Sequence, residues 1–321
     1  MDALSDVLRL IRLSGGVFLE AHLTAPWCFK GRLSPDDCKA FQVAPNFVIA
    51  THLVTQGQMQ VQVGDDEPII VHAGELLLLP HNDLHLFGSD VSVPPFSQPD
   101  EVKAKAAAAF SRIELGGGGE STHLLCGYLG SDHKFGPLVA SLPPALKVEV
   151  RSTPLGAWVE SSFRFAVSQI AAGRVGSTTV IAKLSELLFV EAVSHYVSGL
   201  PEDRKGWLAG LRDPQVGQAL ALLHANPAKD WSAEALAADV GMSRSGFADR
   251  FASLVGQPPM QYLAYWRMQL ASRRLRESRE AIAQIGHAVG YESEAAFSRA
   301  FKREFGKSPA AWRKPDAVAQ V

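Results

Sequence analysis

The chain has few cysteines and no long apolar segment. Its 321 residues include only Cys28, Cys38 and Cys126, and no two of them form a Cys-x-x-Cys pair. An odd number of widely spaced thiols in a chain of this size argues against a disulfide framework and is typical of a reducing compartment. The first residues lack a basic stretch followed by an apolar run, so no signal peptide is expected. No apolar run approaches the roughly 20 residues of a membrane helix, and we therefore expect a cytoplasmic protein without membrane contact.

A strong excess of either charge is also absent, because the net charge of the whole chain is −2. The balance conceals an asymmetry. Residues 240–314 contain 13 basic and 6 acidic side chains, a net charge of +7, which leaves −9 for the remainder. A basic C-terminal module on an acidic body indicates a polyanionic partner for that module. Helix faces exposed to solvent would explain the same charges, so the charge distribution alone does not establish a polyanionic partner.

The same segment occurs twice in the last third of the chain. Residues 236–262 align with residues 285–312, first at an offset of 49 and, after one inserted residue, at an offset of 50. The matched pairs are Val240 and Val289, Gly241 and Gly290, Phe247 and Phe297, Phe251 and Phe301, Gly256 and Gly306, Pro259 and Pro309, and Tyr262 and Trp312. Such a period predicts a duplicated supersecondary unit that keeps its glycines and core aromatics and varies its polar residues.

Each copy has the pattern of a helix-turn-helix, in which a glycine turn and a serine cap precede a second helix. Helical spacing turns one set of side chains outward as candidate DNA-binding residues: Arg244, Ser245, Ala248 and Asp249 in the first copy, and Ser293, Glu294, Ala295, Ser298, Arg299 and Lys302 in the second. The second helix of each copy is the one expected to enter the DNA groove, and we call these two the reading helices. A predicted helix over Pro259–Glu277 would hold them about one DNA turn apart. A helical bundle that binds no nucleic acid is the alternative.

Residues 213–313 resemble the tandem DNA-binding domain of the AraC/XylS family of bacterial transcription regulators. The resemblance is carried by L-A-A-D-V-G-M-S-R-S-G-F-A-D-R-F in the first copy and V-G-Y-E-S-E-A-A-F-S-R-A-F-K-R-E-F-G-K-S-P in the second. It implies transcription regulation, double-stranded DNA as a partner and RNA polymerase as a candidate partner. Asp249 departs from the family pattern, in which a basic or amide side chain is more common. An acid there repels phosphate, although it can accept a hydrogen bond from a cytosine amino group.

Short alternating or apolar runs between residues 17 and 150 predict an all-β barrel or sandwich. The predicted strands include Phe47–Val54, Met59–Val63, Ile69–His72, Leu76–Leu79 and His123–Leu129, whereas Ser89–Gly119 predicts a partly helical excursion with a flexible tip. The segment G-E-L-L-L-L-P-H-N-D-L-H, which ends at His85, resembles a cupin motif, and His52 occupies the position of a first cupin histidine. The expected fold class is α+β and multidomain. It combines a cupin-like β-barrel over residues 1–152, a helical connector over 153–210, and an all-α tandem helix-turn-helix domain over 211–321.

The resemblance to the cupin-type sensor half of this family implies a small-molecule effector held inside the barrel. The residues expected to bind it are Trp27, His52, His85 and Cys126. Neither a metal nor another cofactor is expected, because Val54 replaces the second histidine of the cupin metal set and no glutamate follows at the family's spacing. We therefore expect a regulator and not an enzyme. Two alternatives stay open: a cupin metalloenzyme fused to a helical module, and a DNA-bending protein whose barrel only dimerises.

The connector is expected to contain two helices with apolar faces, at Ala157–Ala172 and Ser177–Val197, followed by a polar linker around Trp207. In the second helix Ile181, Leu184 and Leu188 form an apolar stripe. The stripe could be domain core, or it could pair with a second subunit. We favour a homodimer, because a barrel followed by a tail offers these helices little other cover.

Overall fold

The computed structural model describes residues 3–11, 13–33, 47–96, 111–131, 136–150, 177–201 and 204–314, with the pairs 157–158, 161–162, 164–165 and 168–169. The chain divides into two structural units. One is Ile11–Gly199, which we call the two-sheet unit. The other combines Met1–Leu10 with Leu200–Val321, and we call it the C-terminal unit.

Two β-sheets form the Ile11–Gly199 unit. Their strands are β1 Ser14–Thr24, β2 Cys28–Gly31, β3 Phe47–Gln56, β4 Gln58–Val63, β5 Ile69–His72, β6 Glu75–Leu79, β7 His85–Gly88, β8 Ser111–Gly116, β9 Ser121–Ser131 and β10 Leu146–Glu149. One sheet has the order β10-β6-β3-β9-β1-β8, and the other has the order β2-β7-β4-β5. The apolar residues that alternate along these strands meet in one core, to which β4 contributes Met59, Val61 and Val63. The predicted β-rich N-terminal domain is confirmed.

Residues 111–116 form a strand and not the end of a partly helical excursion. Ser111–Gly116 pairs in parallel with β1, from Leu19 opposite Ser111 to Thr24 opposite Gly116. Ile113 is buried in the core, while the exposed Arg112 pairs with Glu20 at 2.6 Å between Nη2 and Oε2. The alternation in S-R-I-E-L-G was therefore the informative signal. The alanine run of the predicted excursion, residues 106–109, lies outside the described residues.

Helix α3, Ser177–Ser198, packs on the six-stranded sheet; the short helix α2, Gly136–Ser141, lies between β9 and β10. Leu184 and Leu188 are both 5 % exposed, and Leu188 borders a small space lined by sheet residues that include Leu53 and Leu125. The expectation that this stripe faces a second subunit is therefore wrong. The reason lies in the sheet, whose continuous apolar runs, such as L-L-L-L in β6, give it a second apolar face that a helix must cover. The predicted helix Ala157–Ala172 is helical in its described pairs and otherwise lies outside the described residues.

Eight helices follow in the described part of the C-terminal unit. They are α4 Trp207–Arg212, α5 Pro214–Ala225, α6 Ala233–Asp239, α7 Arg244–Val255, α8 Pro259–Glu277, α9 Ile282–Ala288, α10 Glu294–Phe305 and α11 Pro309–Arg313. The polar linker predicted around Trp207 is thus wrong, because Trp207 begins α4 and is buried. Its indole Nε1 donates a hydrogen bond to the Tyr262 hydroxyl at 3.1 Å, which satisfies its one polar group inside the core.

The N-terminal helix α1, Ala3–Ile11, packs in the C-terminal unit through its first residues. Val7 is fully buried, and the Asp6 carboxylate lies 3.8 Å from Nδ1 of His224. The His224 ring stacks on Trp266 with centroids 3.8 Å apart, and its Nε2 lies 2.7 Å from the Tyr262 hydroxyl. Burial lowers the pKa of His224 to about 3, so the ring is neutral. Helix α1 therefore completes an aromatic core that begins in α5 and α8.

Candidate functional site

The first helix-turn-helix is formed by α6 and α7. Gly241 has a φ of 70°, which supplies the left-handed turn, and the Ser243 hydroxyl accepts from the Gly246 amide at 3.3 Å to cap α7. The rings of Phe247 and Phe251 are fully buried on its inner face. The predicted DNA-binding residues lie on the other side: Arg244, Ser245 and Asp249 are exposed and Ala248 is half-buried.

The second helix-turn-helix repeats this geometry in α9 and α10. Gly290 has a φ of 88°, and the Ser293 hydroxyl accepts from the Ala296 amide at 3.3 Å. Phe297 and Phe301 are fully buried in an apolar cluster with residues of α8 and α9. Of the predicted DNA-binding residues in this copy, Ser298 is half-buried and the others are exposed: Ser293, Glu294, Ala295, Arg299 and Lys302. The structure thus brings each predicted set of candidate residues onto one face of its helix.

One basic residue of α7 is already paired within the protein. The Arg250 guanidinium lies 2.5 Å from the Asp213 carboxylate, which also accepts from the amides of Gln215 and Val216 at the start of α5. Burial alone would raise the pKa of Asp213, but these hydrogen bonds from Arg250 and the two amides lower it. Arg250 therefore ties the first reading helix to α5. The sequence contained no local signal for this pairing across 37 positions.

The four residues predicted to bind an effector are buried in the interior of the two-sheet unit. His52 in β3 lies opposite Cys126 in β9, and its Nδ1 is 3.2 Å from the thiol sulfur. His85 lies 5.6 Å from the His52 ring between centroids. Trp27 is connected to this pair through Phe87, whose ring is 6.3 Å from Trp27 and 5.0 Å from His52. Sequence reasoning missed Phe87, although it stands two residues after His85 and hence on the same face of β7.

The polar groups of this cluster are neutral. Burial lowers the pKa of His52 to about 3, with a smaller contribution from His85, and burial raises the pKa of the Cys126 thiol to about 12. The protonated thiol can therefore donate to His52 Nδ1. Nε2 of His52 and Nε1 of Trp27 are buried without a hydrogen-bond partner among the described residues. An unmet buried donor or acceptor costs about 1–3 kcal/mol.

Nδ1 of each histidine in the cluster has a partner within the protein. His52 directs Nδ1 to Cys126, and His85 donates from Nδ1 to the Asp83 carbonyl at 2.9 Å. Within the described part of the chain, no three His, Cys, Asp or Glu side chains are arranged to hold a metal ion.

Two helix-turn-helix units with exposed polar and basic outer faces, joined by one helix, define the class of protein as a DNA-binding regulator. A cupin family model matches residues 2–198, and a helix-turn-helix domain model matches residues 236–315. The chain belongs to the AraC-like family of transcription regulators. It combines a helix-turn-helix DNA-binding region with a cupin-like N-terminal domain.

Two relatives align with the chain over nearly their full length. The chain is 34% identical over 320 residues to a protein of Streptomyces antibioticus described as an AraC-like transcription regulator, covering 98% of this chain and 99% of that protein. It is 30% identical over 318 residues to the transcriptional regulator AlkR of Acinetobacter baylyi, again covering 98% and 99%. These relatives are regulators. No helix in the described residues has the length and apolarity needed to cross a membrane.

Proposed function

We propose that this regulator responds to a small-molecule effector, which binds in the interior of the two-sheet unit and changes the affinity for DNA. The observation that carries the proposal is the cluster of Trp27, His52, His85 and Cys126, in which Trp27 Nε1 and His52 Nε2 have no protein partner among the described residues. Bonding to a ligand would remove the cost of leaving these groups unmet.

The chemistry of the cluster supports an uncharged or weakly polar effector. His52 is neutral, Cys126 keeps its proton, and Phe29 and Phe87 add aromatic walls beside Trp27. A ligand with an apolar body and hydrogen-bond acceptors for the Trp27 indole and for Nε2 of His52 would match these surroundings.

The experiment uses the full chain and a panel of small metabolites. Each compound is scored by the ratio of DNA affinities with and without it, and by the shift in the melting temperature. Trp27→Phe keeps an aromatic side chain, although a smaller one, and removes the N–H donor, so it should reduce the affinity ratio of an active compound. Ile70→Ala, at an exposed position on β5, is the matched control and should keep the ratio. An active compound whose effect is the same in Trp27→Phe would place its binding site elsewhere.

We also propose that Arg244, Ser245, Ala248 and Asp249, with Ser293, Glu294, Ala295, Ser298, Arg299 and Lys302, form the DNA-reading surface. Their common outward placement on α7 and α10 supports this assignment. The exposed Asp249 would favour cytosine over a phosphate contact.

The remaining partner assignments are part of the same proposal. We propose a cytoplasmic homodimer, with RNA polymerase as a candidate partner and no catalytic activity. If α3 contributes to a dimer contact, its exposed apolar residues Val180 and Leu187 are the candidates, because Leu184 and Leu188 are buried against the sheet. Metal analysis together with a turnover screen tests the alternative of a cupin metalloenzyme. If the purified protein contained stoichiometric metal and converted a substrate, the cluster would have a catalytic role and not a regulatory one.

A further inference from the structure

The turn that precedes the first helix-turn-helix touches the glycine turn of the second. Residues 227–229 form the turn after α5, and Gly290 forms the turn before α10. A Cβ atom on Gly290 would lie 2.9 Å from the Cα of Ala228, a distance too short for a side chain. The absence of a side chain at Gly290 therefore permits this close approach, and its φ of 88° also favours glycine.

One guanidinium group joins these two turns. Arg267 donates from Nε to the Pro227 carbonyl at 2.7 Å and from Nη2 to the Lys229 carbonyl at 3.0 Å. Its Nη1 donates to the Gly290 carbonyl at 3.3 Å. All three nitrogens are thus used, on acceptors from both turns. A guanidinium presents its donors in a rigid planar fork, whereas a lysine ammonium is a point charge that cannot reproduce this geometry.

Arg267 lies where α8 passes from one apolar core to the next. On its N-terminal side Tyr262 packs against Phe251 of the first copy, with ring centroids 5.9 Å apart. On its C-terminal side Met268 and Leu275 belong to the core of the second copy. The guanidinium is half-buried, and burial lowers its pKa. The three hydrogen bonds to carbonyl groups offset the cost of this desolvation. Because all three carbonyls must be in place at once, the guanidinium favours this one orientation of the two turns.

We propose that Arg267 is the positioning residue that sets the distance and rotation between the two reading helices, and thereby the half-site spacing that the protein accepts on DNA. Gly290 lies three residues before the cap of α10, and residues 227–229 lead into the helix-turn-helix that carries α7. Inserting one base pair between two half-sites rotates one against the other by about 35°, because B-DNA has about 10–10.5 base pairs per turn. The inference rests on the proposed reading role of α7 and α10.

The test measures how affinity depends on spacing. A duplex bound by the full chain is selected from random-sequence DNA, and variants with one base pair inserted or removed between its half-sites are made. The wild type should lose at least about tenfold in affinity for each change, the cost of about one lost base contact. The spacing ratio is the affinity for the selected duplex divided by the affinity for a duplex of altered spacing. In Arg267→Met and Arg267→Lys this ratio should fall below about threefold, because the second reading helix can then shift to follow its displaced half-site. Arg274→Met, at an exposed position on the same helix, is the control and should keep the wild-type ratio even if its overall affinity changes.

The ratio separates positioning from general stability. If Arg267→Met binds every duplex more weakly by one common factor and keeps the wild-type ratio, the proposal is overturned. If Arg267→Met fails to fold, the spacing ratio of Arg267→Lys tests the proposal instead, since this variant retains the charge and the aliphatic part of the side chain. Arg299→Ala tests the reading role separately. Unchanged binding in that variant would refute the reading role of α10 whatever the spacing ratios are.

Discussion

Replacing Leu188 by alanine should destabilise the two-sheet unit and leave self-association unchanged. Leu188 is 5 % exposed and faces sheet residues that include Val17, Leu53 and Leu129. Truncation of a buried leucine to alanine costs about 2–5 kcal/mol, the larger values applying where the surroundings cannot collapse. The sheet beneath Leu188 is held by strand pairing on both sides of β3 and β9, so little collapse is expected. We therefore expect about 3–4 kcal/mol.

The neighbouring residue supplies the control. Leu187 has the same side chain on the same helix but is 40 % exposed, so Leu187→Ala should cost less than about 1 kcal/mol. For a unit of this size, a loss of about 3 kcal/mol lowers the melting temperature by roughly 6–12 °C.

The assay follows thermal and urea unfolding of the full chain, with sedimentation to record the oligomeric state. Hydrogen exchange at the amides of β1 and β9 reports on the two-sheet unit directly. Equal losses for Leu187→Ala and Leu188→Ala would refute the packing of α3 on the sheet. So would a Leu188→Ala protein that changes its oligomeric state while its stability is preserved.

Other properties of the chain should respond in defined ways. Arg299→Ala should cost about 1–3 kcal/mol of DNA affinity in gel-shift titrations, and Arg313→Ala should cost less, because Arg313 donates to the Glu280 carbonyl at 2.5 Å; equal losses would contradict the placement of α10. DNA affinity should fall steeply as salt rises, and a flat salt dependence would contradict phosphate contacts by the basic module. His52 and His224 have folded-state pKa values of about 3 against 6.5 for a free ring, so below pH 6.5 the unfolded chain binds more protons. Stability in urea should therefore fall as the pH decreases from 6.5, by up to about 1.4 kcal/mol per pH unit for each ring, and a midpoint that is constant from pH 7.5 to 5 would contradict this burial.

Features set by neighbouring residues could be predicted from the sequence. The cap at Ser243, the glycine turn at Gly241 and the bounds of helix Pro259–Glu277 follow from local backbone chemistry, and the structure has them at these positions. The resemblance to a cupin motif also indicates that His52 and His85 lie inside the barrel, and the structure brings them together with Cys126.

Features that depend on distant partners were not predictable in the same way. The stripe of Leu184 and Leu188 is equally consistent with a sheet or a second subunit as its cover, since helical periodicity identifies an apolar face but not its partner. The polar residues before Trp207 predict a linker there, whereas the burial of Trp207 depends on Tyr262, which lies 55 positions away. The three carbonyl partners of Arg267 are backbone atoms, which leave no trace in the side-chain pattern.

The placement of α1 has a consequence for the order in which the protein can fold during synthesis. The chain passes between its two units twice, near residue 10 and near residue 199. The residues of α1 leave the ribosome before the helices of this unit that they contact, since Asp6 lies beside His224 of α5. A fragment that begins at Leu211 would lack both α1 and Trp207 and would leave His224 and Trp266 without part of their cover. The DNA-binding unit therefore cannot complete its core until nearly the whole polypeptide has been translated, and the two-sheet unit has the opportunity to fold first.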